Sequence, residues 1–303
     1  MPVPEQEKNN AQFDAIVIGD LAVDELVVHG QTTVATGGSV YYGAIAMARL
    51  GMRTAVVTRL AERDFPRLEE LRAAGITVYA HPAAQSSGIR NVYLTEDQDR
   101  RICTLLGFAG PFSPAEIPAE SARYYVVGPL MAGLMDLDLV RLVARRGRVA
   151  LDAQGFIRTR EGDGLVLKDW AEKRVGLPLV DVLKVDQAEA ETLTGHSEAK
   201  AAATTLAGWG AREVVLTHAS GVTVFAEGHC YWAPFVQRSL NGRTGRGDTC
   251  LASYLARRLS AGPADACRFA AAVTSLKLEA PGPLAASRDA IEALYRQLEV
   301  REL

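Results

Sequence analysis

The sequence predicts a doubly wound, mostly parallel α/β domain over residues 13–300. Residues 15–19, Ala-Ile-Val-Ile-Gly, form a short and fully apolar run, which is typical of a strand buried in a parallel sheet. After Leu106, strand-like and helix-like segments alternate regularly, which favours a parallel sheet with helices on both faces. No repeat and no low-complexity linker divides the 303 residues. We therefore expect one domain with a small accessory unit, preceded by a disordered tail over residues 1–12.

The first third of the chain contains strands that do not fit the main sheet. Four short runs have weak strand character: residues 26–29, 32–35, 89–95 and 101–106. A polar turn cluster at residues 96–99 separates the last two runs. We expect a small separate sheet from about residues 23–35 and 88–106, with a simple edge hairpin as the alternative. The other elements predicted here are a helix at 40–50, a strand at 54–58, a helix at 67–74 and a strand at 77–80.

The second half of the chain supplies the regular alternation. Strands are predicted at residues 124–127, 149–151, 182–185, 214–217 and 222–226, and helices at 137–146 and 187–193. A further helix begins near Leu251, because Leu251, Tyr254, Leu255 and Leu259 fall on one face at helical spacing. A Gly-Pro pair at residues 262–263 ends it.

Residues 241–250, Asn-Gly-Arg-Thr-Gly-Arg-Gly-Asp-Thr-Cys, lead directly into that helix. Glycines let the backbone approach a ligand closely, and the amides of a helix N-terminus favour negative charge. Arg243 and Arg246 add charge that suits a phosphate. Asp248 is a carboxylate inside an anion site, where it could take a proton from an attacking hydroxyl. The alternative is an ordinary helix cap after a glycine-rich turn.

Composition excludes several classes of protein. The net charge of −3 leaves no basic footprint for nucleic acid. The four cysteines are scattered, which favours reduced thiols in a cytoplasm over a zinc site or a disulfide framework. No apolar run is long enough to span a membrane, and the polar N-terminus lacks a signal-peptide core. The chain also lacks a Gly-Lys pair, a Gly-x-Gly-x-x-Gly after the first strand and a Gly-x-Ser-x-Gly elbow.

The segment Thr-Gly-Arg-Gly-Asp at residues 244–248 resembles the Thr-Gly-Ala-Gly-Asp signature of the ribokinase-like (PfkB) carbohydrate kinases. The resemblance extends from about residue 15 to residue 298. It implies a ribokinase-like fold with a β lid that covers the substrate. It also implies Mg²⁺ as the metal and ATP as the phosphoryl donor. It also implies an anion hole made by Gly245, Arg246 and Gly247, with Asp248 as the general base.

The resemblance also implies a donor site. The segment from Asp186 to Glu189 is similar to the family's Asn-x-x-Glu, which implies that Glu189 organises Mg²⁺ through water. Lys184 stands at a strand end from which it could reach a phosphate. The turn after residues 214–217 is similar to the family's nucleotide-binding turn. The nucleotide-side candidates are therefore Lys184, Thr217, Ser220, Gly221, Arg243 and Thr244.

The acceptor site departs from ribokinase itself. Asp24 matches the family's hydroxyl-binding Asp, and Gly37 and Gly38 match its glycine pair. However, Ser39 replaces a Lys, and Gly128 stands where ribokinases have a sugar-binding Glu, so ribose is disfavoured. Four stretches, at residues 37–43, 152–158, 243–250 and 273–277, are similar to the myo-inositol kinase branch. Gln154 and Arg158 within them are further substrate-side candidates.

We therefore predict a magnesium-dependent kinase that transfers phosphate from ATP to a hydroxyl of a small sugar or polyol, with myo-inositol favoured. A nucleoside kinase of the same family is the alternative within this class. A catalytically silent sugar-binding sensor is the alternative from another class. The lid strands could also pair with a second copy of the chain to form a homodimer.

Overall fold

The computed structural model describes residues 11–28, 30–93 and 101–303. The strands of this part of the chain are β1 (Phe13–Gly19), β2 (Ala22–Val28), β3 (Gln31–Gly37), β4 (Thr54–Leu60), β5 (Thr77–Pro82), β6 (Gly88–Tyr93), β7 (Arg101–Gly107), β8 (Ala122–Gly128), β9 (Arg148–Asp152), β10 (Arg158–Glu161), β11 (Gly164–Leu167), β12 (Val182–Asp186), β13 (Glu213–His218), β14 (Gly221–Ala226), β15 (His229–Pro234) and β16 (Arg301–Glu302). The α-helices are α1 (Ser39–Arg49), α2 (Glu69–Ala73), α3 (Leu137–Ala144), α4 (Gln154–Ile157), α5 (Lys173–Gly176), α6 (Gln187–Thr194), α7 (Ala199–Gly208), α8 (Arg246–Arg258), α9 (Pro263–Leu278) and α10 (Arg288–Gln297).

The larger sheet has the strand order β16-β15-β14-β13-β12-β9-β8-β1-β4-β5 among the described residues. Its pairs from β5 across to β13 are parallel, and those from β13 to β16 are antiparallel. The predicted doubly wound, mostly parallel sheet is therefore confirmed. The antiparallel edge arises because tight turns, not helices, join β13, β14 and β15.

Helices cover both faces of this sheet, and strand alternation supplies both layers of the core. Along β1, Ala15 and Val17 pack into the cluster with α1, α8 and α9. Ile16 and Ile18 pack into the cluster with α3, α6 and α7 on the opposite face. Successive side chains of a strand point to opposite faces, so a strand between two helical layers must be apolar throughout. This explains the continuous apolar run at residues 15–18.

The smaller sheet has the order β10-β11-β7-β6-β2-β3 among the described residues. The predicted pairing of residues near 23–35 with those near 88–106 is present, because β2 pairs with both β3 and β6. Strands β10 and β11 were not predicted. The outer surface of this sheet exposes apolar side chains such as Val34 and Ile102, which are 54% and 52% exposed. Dimerisation through this sheet stays a prediction.

Three predicted details differ from the structure or lie outside it. The predicted helix at 67–74 is a 3-10 helix, Glu62–Leu68, that contains Pro66 and is followed by the short α2. Ala11, which was assigned to the tail, is 3% exposed. Residues 1–10, His29 and the turn at 96–99 lie outside the described residues. No helix in the described ranges is long and apolar enough to cross a membrane.

Candidate active site

A cleft of about 310 Å³ lies where the parallel strands of the larger sheet end, facing the smaller sheet and the N-terminus of α8. Open α/β sheets bind ligands at this edge. Most residues predicted for the site line the cleft: Asp24, Gly38, Ser39, Gln154, Arg158, Lys184, Thr217, Arg243, Thr244, Gly245, Arg246, Gly247 and Asp248. The fold thus brings residues that are more than 200 positions apart, from Asp24 to Asp248, to a shared site.

The glycine-rich loop lies directly against two side chains. Gly245 precedes the first turn of α8 with φ 79°, a left-handed conformation that favours glycine. A Cβ on Gly245 would lie 2.1 Å from Cγ of Tyr42, and one on Gly247 would lie 2.7 Å from Cε of Lys184. The left-handed φ and the Tyr42 ring thus require glycine at position 245, and a side chain at position 247 would displace the end of Lys184. The N-terminus of α8 and its dipole therefore lie at the cleft, an arrangement that suits an anion, while the Arg246 amide donates to the Arg243 carbonyl at 3.2 Å.

Asp248 lies in the first turn of α8 and is half-buried at the cleft. Burial raises the pKa of its carboxyl to about 6, and the carboxylate of Asp152 adds to this effect. Three cations oppose the increase: Lys184, Lys277 and Arg158. A carboxylate with a pKa in this range is ionised at neutral pH and accepts a proton more readily than an ordinary aspartate. Both properties suit a general base.

Lys184 is a buried cation beneath the loop and is 5% exposed. Its Nζ lies 3.1 Å from Oδ2 of Asp152 and 3.5 Å from Oε2 of Glu189. Burial lowers the pKa of Lys184, but the neighbouring carboxylates, with Asp152 the strongest, hold it above the ordinary lysine value. The ammonium is therefore permanently charged, and it lines the cleft where a phosphate would meet the loop amides.

Glu189 and Asp186 form a capping box at the start of α6. Oε2 of Glu189 accepts the Asp186 amide at 2.7 Å, and Oδ1 of Asp186 accepts the Glu189 amide at 2.9 Å. Burial raises the pKa of Glu189, and Lys184 counteracts this. Glu189 is 1% exposed and lies behind Lys184, whereas Asp186 lines the cleft. The water-mediated metal role of Glu189 stays a prediction.

The part of the cleft nearest the smaller sheet carries polar groups that suit a hydroxylated acceptor. Asp24 is 5% exposed, and its Oδ1 accepts the Ile89 amide at 2.9 Å. Gly37 lies behind the same carboxyl group, where a Cβ would be 2.3 Å from Oδ2. Ser39 Oγ donates to the Gly128 carbonyl at 2.6 Å. Residue 128 must be glycine here, because its Cβ would lie 2.5 Å from Ser39 Oγ.

Several lining residues were not predicted for the site: Tyr42, Ile89, Asn91, Gly128, Leu130, Asp152 and Asp186. Two signals could have found some of them. Asp152 ends β9, and the carboxyl ends of parallel strands form the ligand edge. Asn91 lies two residues after Ile89 in β6, so both point to the same face. Asn91 is 4% exposed, and its Oδ1 accepts from Cys103 Sγ at 3.1 Å.

Two predicted donor-side residues lie outside the cleft lining in the described part of the chain. Ser220 Oγ lies 3.1 Å from Nδ1 of His218, in the turn before β14. A Cβ on Gly221 would lie 2.4 Å from the carbonyl oxygen of Ala233 in β15, so Gly221 packs against the edge strands. Thr217 does line the cleft, and its buried Oγ1 has no hydrogen-bond partner among the described residues.

Solved structures with high similarity share this fold. A pyrophosphate-dependent kinase in the ribokinase family, complexed with a pyrophosphate analogue and myo-inositol, is 36% identical with a TM-score of 0.86. That match covers 92% of this chain and 99% of the other. A pyrophosphate-dependent myo-inositol-1 kinase, converted into a myo-inositol-3 kinase by two substitutions, is 36% identical with a TM-score of 0.85, covering 93% and 99%. Ribokinase of Arabidopsis thaliana with ribose and ATP, at 18% identity and a TM-score of 0.74 over 94% and 99%, shows the fold alone.

Sequence comparison leads to the same family. The cytidine kinase of Thermococcus kodakarensis (strain ATCC BAA-918 / JCM 12380 / KOD1) is 26% identical over 267 residues, which cover 84% of this chain and 92% of the relative. Residues 10–290 match the family model of the pfkB family carbohydrate kinases. A sugar or polyol kinase is what this match and the kinase relatives support. The chain therefore belongs to the pfkB family of carbohydrate kinases.

Proposed function

We propose that this kinase phosphorylates a hydroxyl of myo-inositol or a closely similar polyol, with Asp248 as the general base. The observation that carries the proposal is the position of Asp248. Asp248 lines the same cleft as the cations Arg243 and Arg246 of the loop, and the same cleft is lined by Asp24 and Asn91 of the smaller sheet. A hydroxylated ring held by Asp24 and Asn91 would present one hydroxyl to Asp248 and to the phosphoryl group of a donor bound at the loop. The two relatives at 36% identity support myo-inositol as the acceptor.

In the proposed reaction, Asp248 removes the proton of the acceptor hydroxyl as its oxygen attacks the terminal phosphorus of the donor. A new oxygen–phosphorus bond forms, and the bond between that phosphorus and the leaving phosphate oxygen breaks. The amides of Gly245 and Gly247 and the guanidinium of Arg246 stabilise the phosphoryl oxygens in the transition state, and Lys184 neutralises the leaving group. The smaller sheet acts as the lid and excludes water from the reacting phosphorus.

We propose pyrophosphate as the preferred donor, with ATP as the competing candidate. Three cations, Lys184, Arg243 and Arg246, line the cleft around the loop and suit a small and highly charged anion. Ser220 and Gly221, which the nucleotide hypothesis needs, lie outside the lining. The pyrophosphate-dependent relatives support the same donor.

A magnesium ion fits this site only as a companion of the donor. Among the described residues, no group of three or more His, Cys, Asp and Glu side chains is placed to hold a metal ion. Mg²⁺ bound to phosphates keeps several waters and needs one or two carboxylates, so such a group is not required. Asp186 is the carboxylate that would hold it, with Glu189 fixing the start of α6. The ion would neutralise charge on the donor phosphates.

A panel of donors and acceptors tests this function. Pyrophosphate and ATP are each combined with myo-inositol, hexoses, pentoses and cytidine, in the presence of Mg²⁺, and the phosphorylated product is measured. We expect turnover on myo-inositol with pyrophosphate at least about tenfold above that with ATP, a difference of about 1.4 kcal/mol in transition-state binding. Preference for ATP would overturn the donor assignment. Turnover on cytidine alone would establish the nucleoside kinase that the Thermococcus relative favours. Binding without turnover would establish the sensor.

The pH dependence of kcat/KM should report the ionisation of Asp248. Because its pKa is raised to about 6, the base is protonated below that pH and ionised above it. We therefore expect kcat/KM to rise about tenfold per pH unit below pH 6 and to level off above it. A profile measured between pH 4.5 and pH 8, with a check that the protein stays folded, tests this. A limb near the ordinary aspartate value would contradict the proposed environment of Asp248.

A further inference from the structure

Lys277 is a buried lysine that the proposed reaction does not use directly. It lies in the last turn of α9 and is 2% exposed. Its Nζ donates a hydrogen bond to the carbonyl oxygen of Gly242, in the segment that leads to the loop. The same ammonium faces the ring of Tyr42, with 5.2 Å between Nζ and the ring centroid. The ring of Tyr42 in turn lies against Gly245.

The segment at Gly242 is pressed against the end of α9. The Gly242 amide donates to the carbonyl of Leu278 at 2.8 Å. A Cβ on Gly242 would lie 1.9 Å from the carbonyl oxygen of Ala280 and 2.6 Å from that of Lys277. Gly242 is thus held by hydrogen bonds from both of its backbone polar groups. The route from α9 to the catalytic loop runs through Lys277, Tyr42 and Gly245.

A buried ammonium is costly unless negative charge or strong acceptors compensate it. Burial lowers the pKa of Lys277 to about 8, and Asp248 is the carboxylate that opposes this change. In the same way, Lys277 is one of the cations that favour the ionised form of Asp248. The ammonium faces the ring of Tyr42, and the next residue, Gly43, packs against Asp248, so Lys277 is placed to act on the ionisation of Asp248.

We propose that Lys277 is a positioning residue whose ammonium holds the segment from Gly242 to Gly245 in place and favours the ionised form of Asp248 during catalysis. This inference rests on the proposed role of Asp248 as the base.

Other charged groups also act on Asp248, so the effect of Lys277 must be separated from theirs. Asp152 at the end of β9 raises the pKa of Asp248, whereas Lys184 of β12 and Arg158 of β10 lower it. Helix α1 packs against Asp248 through Gly43, where a Cβ would lie 3.7 Å from Cβ of Asp248, and this glycine contributes no titratable group. These residues stay unchanged in the experiment.

Two substitutions separate charge from hydrogen bonding. Lys277→Gln removes the charge and keeps a donor for the Gly242 carbonyl, whereas Lys277→Met removes both. Lys200→Met is the matched control, because Lys200 is an exposed lysine whose Nζ bonds the Leu303 carbonyl at the surface. We expect both Lys277 variants to shift the acid limb of the kcat/KM profile to a pH about one unit higher. Lys200→Met should leave it in place. Added methylammonium should partly restore the limb in Lys277→Met.

A second readout does not depend on activity. In an NMR titration of the carboxyl carbons, the Asp248 signal is identified by its loss in Asp248→Asn. Its pKa should rise by about one unit in Lys277→Gln. A wild-type enzyme without turnover would refute the proposed function, while this titration would still test the coupling. An unchanged Asp248 pKa in a folded Lys277→Gln variant overturns the inference. A loss of kcat without movement of the limb would do the same, since it would indicate a purely structural role.

Discussion

Asp248→Asn is expected to lower kcat by about 10²–10⁴-fold while acceptor binding is retained. The asparagine amide has nearly the same shape as the carboxylate but cannot take a proton from the acceptor hydroxyl. The change also removes a carboxyl group whose pKa is raised by burial, so ionisation at this position no longer opposes folding above pH 6. We therefore expect the variant to be at least as stable as the wild type at pH 7.5. Turnover and acceptor calorimetry, measured on the same preparation, test both expectations.

The matched control for this experiment is Asp138→Asn. Asp138 lies in α3, outside the cleft lining, with 82% of its side chain exposed, and its substitution makes the same change in charge. Its turnover should equal that of the wild type. If Asp248→Asn retains full turnover, another group must accept the proton and the proposed role of Asp248 is wrong.

Lys184→Met is expected to have the second large effect, on both stability and donor binding. The ammonium is buried between Asp152 and Glu189 at 3.1 Å and 3.5 Å, and its removal leaves two buried carboxylates without their cation. Breaking a buried ion pair on one side costs about 3–5 kcal/mol. Because Lys184 also lines the cleft beneath Gly247, the donor KM should rise by at least about tenfold. Urea unfolding at pH 7.5 and donor titration measure the two effects.

A double variant distinguishes a lost ion pair from a general packing defect. Adding Asp152→Asn to Lys184→Met removes one of the unpaired carboxylates, so part of the lost free energy of unfolding should return. Donor binding should not recover, because the cation is still absent. Lys168→Met, which removes a lysine from an exposed ion pair with Glu161, should change neither quantity by much. If Lys184→Met unfolds at the same urea concentration as the wild type, the buried network does not carry the proposed energy.

Some parts of the candidate site could be predicted from residues that are neighbours in the sequence. The loop at residues 241–250 could be assigned to an anion site, because glycines, arginines and a helix start are neighbours along the chain. Strand β12 and the pair of Asp186 with Glu189 could also be recognised from local sequence, because their residues are neighbours along the chain. In the structure, Glu189 forms a hydrogen bond with Lys184 of the preceding strand. The sequence spacing permits this contact but does not predict it, because the contact depends on the rotamer of the lysine.

The sequence by itself determined the doubly wound sheet, because a strand buried on both faces must be apolar throughout, and helices between such strands force parallel pairing. It also determined the glycine-rich loop before α8 and placed Asp248 in it. Tertiary structure alone decided that β10 and β11 join the smaller sheet and that Ser220 and Gly221 lie outside the cleft lining. It also decided that Lys277 reaches Gly242. Each of these facts depends on sheet register or on contacts between distant segments, and a one-dimensional pattern of polarity carries no information about either.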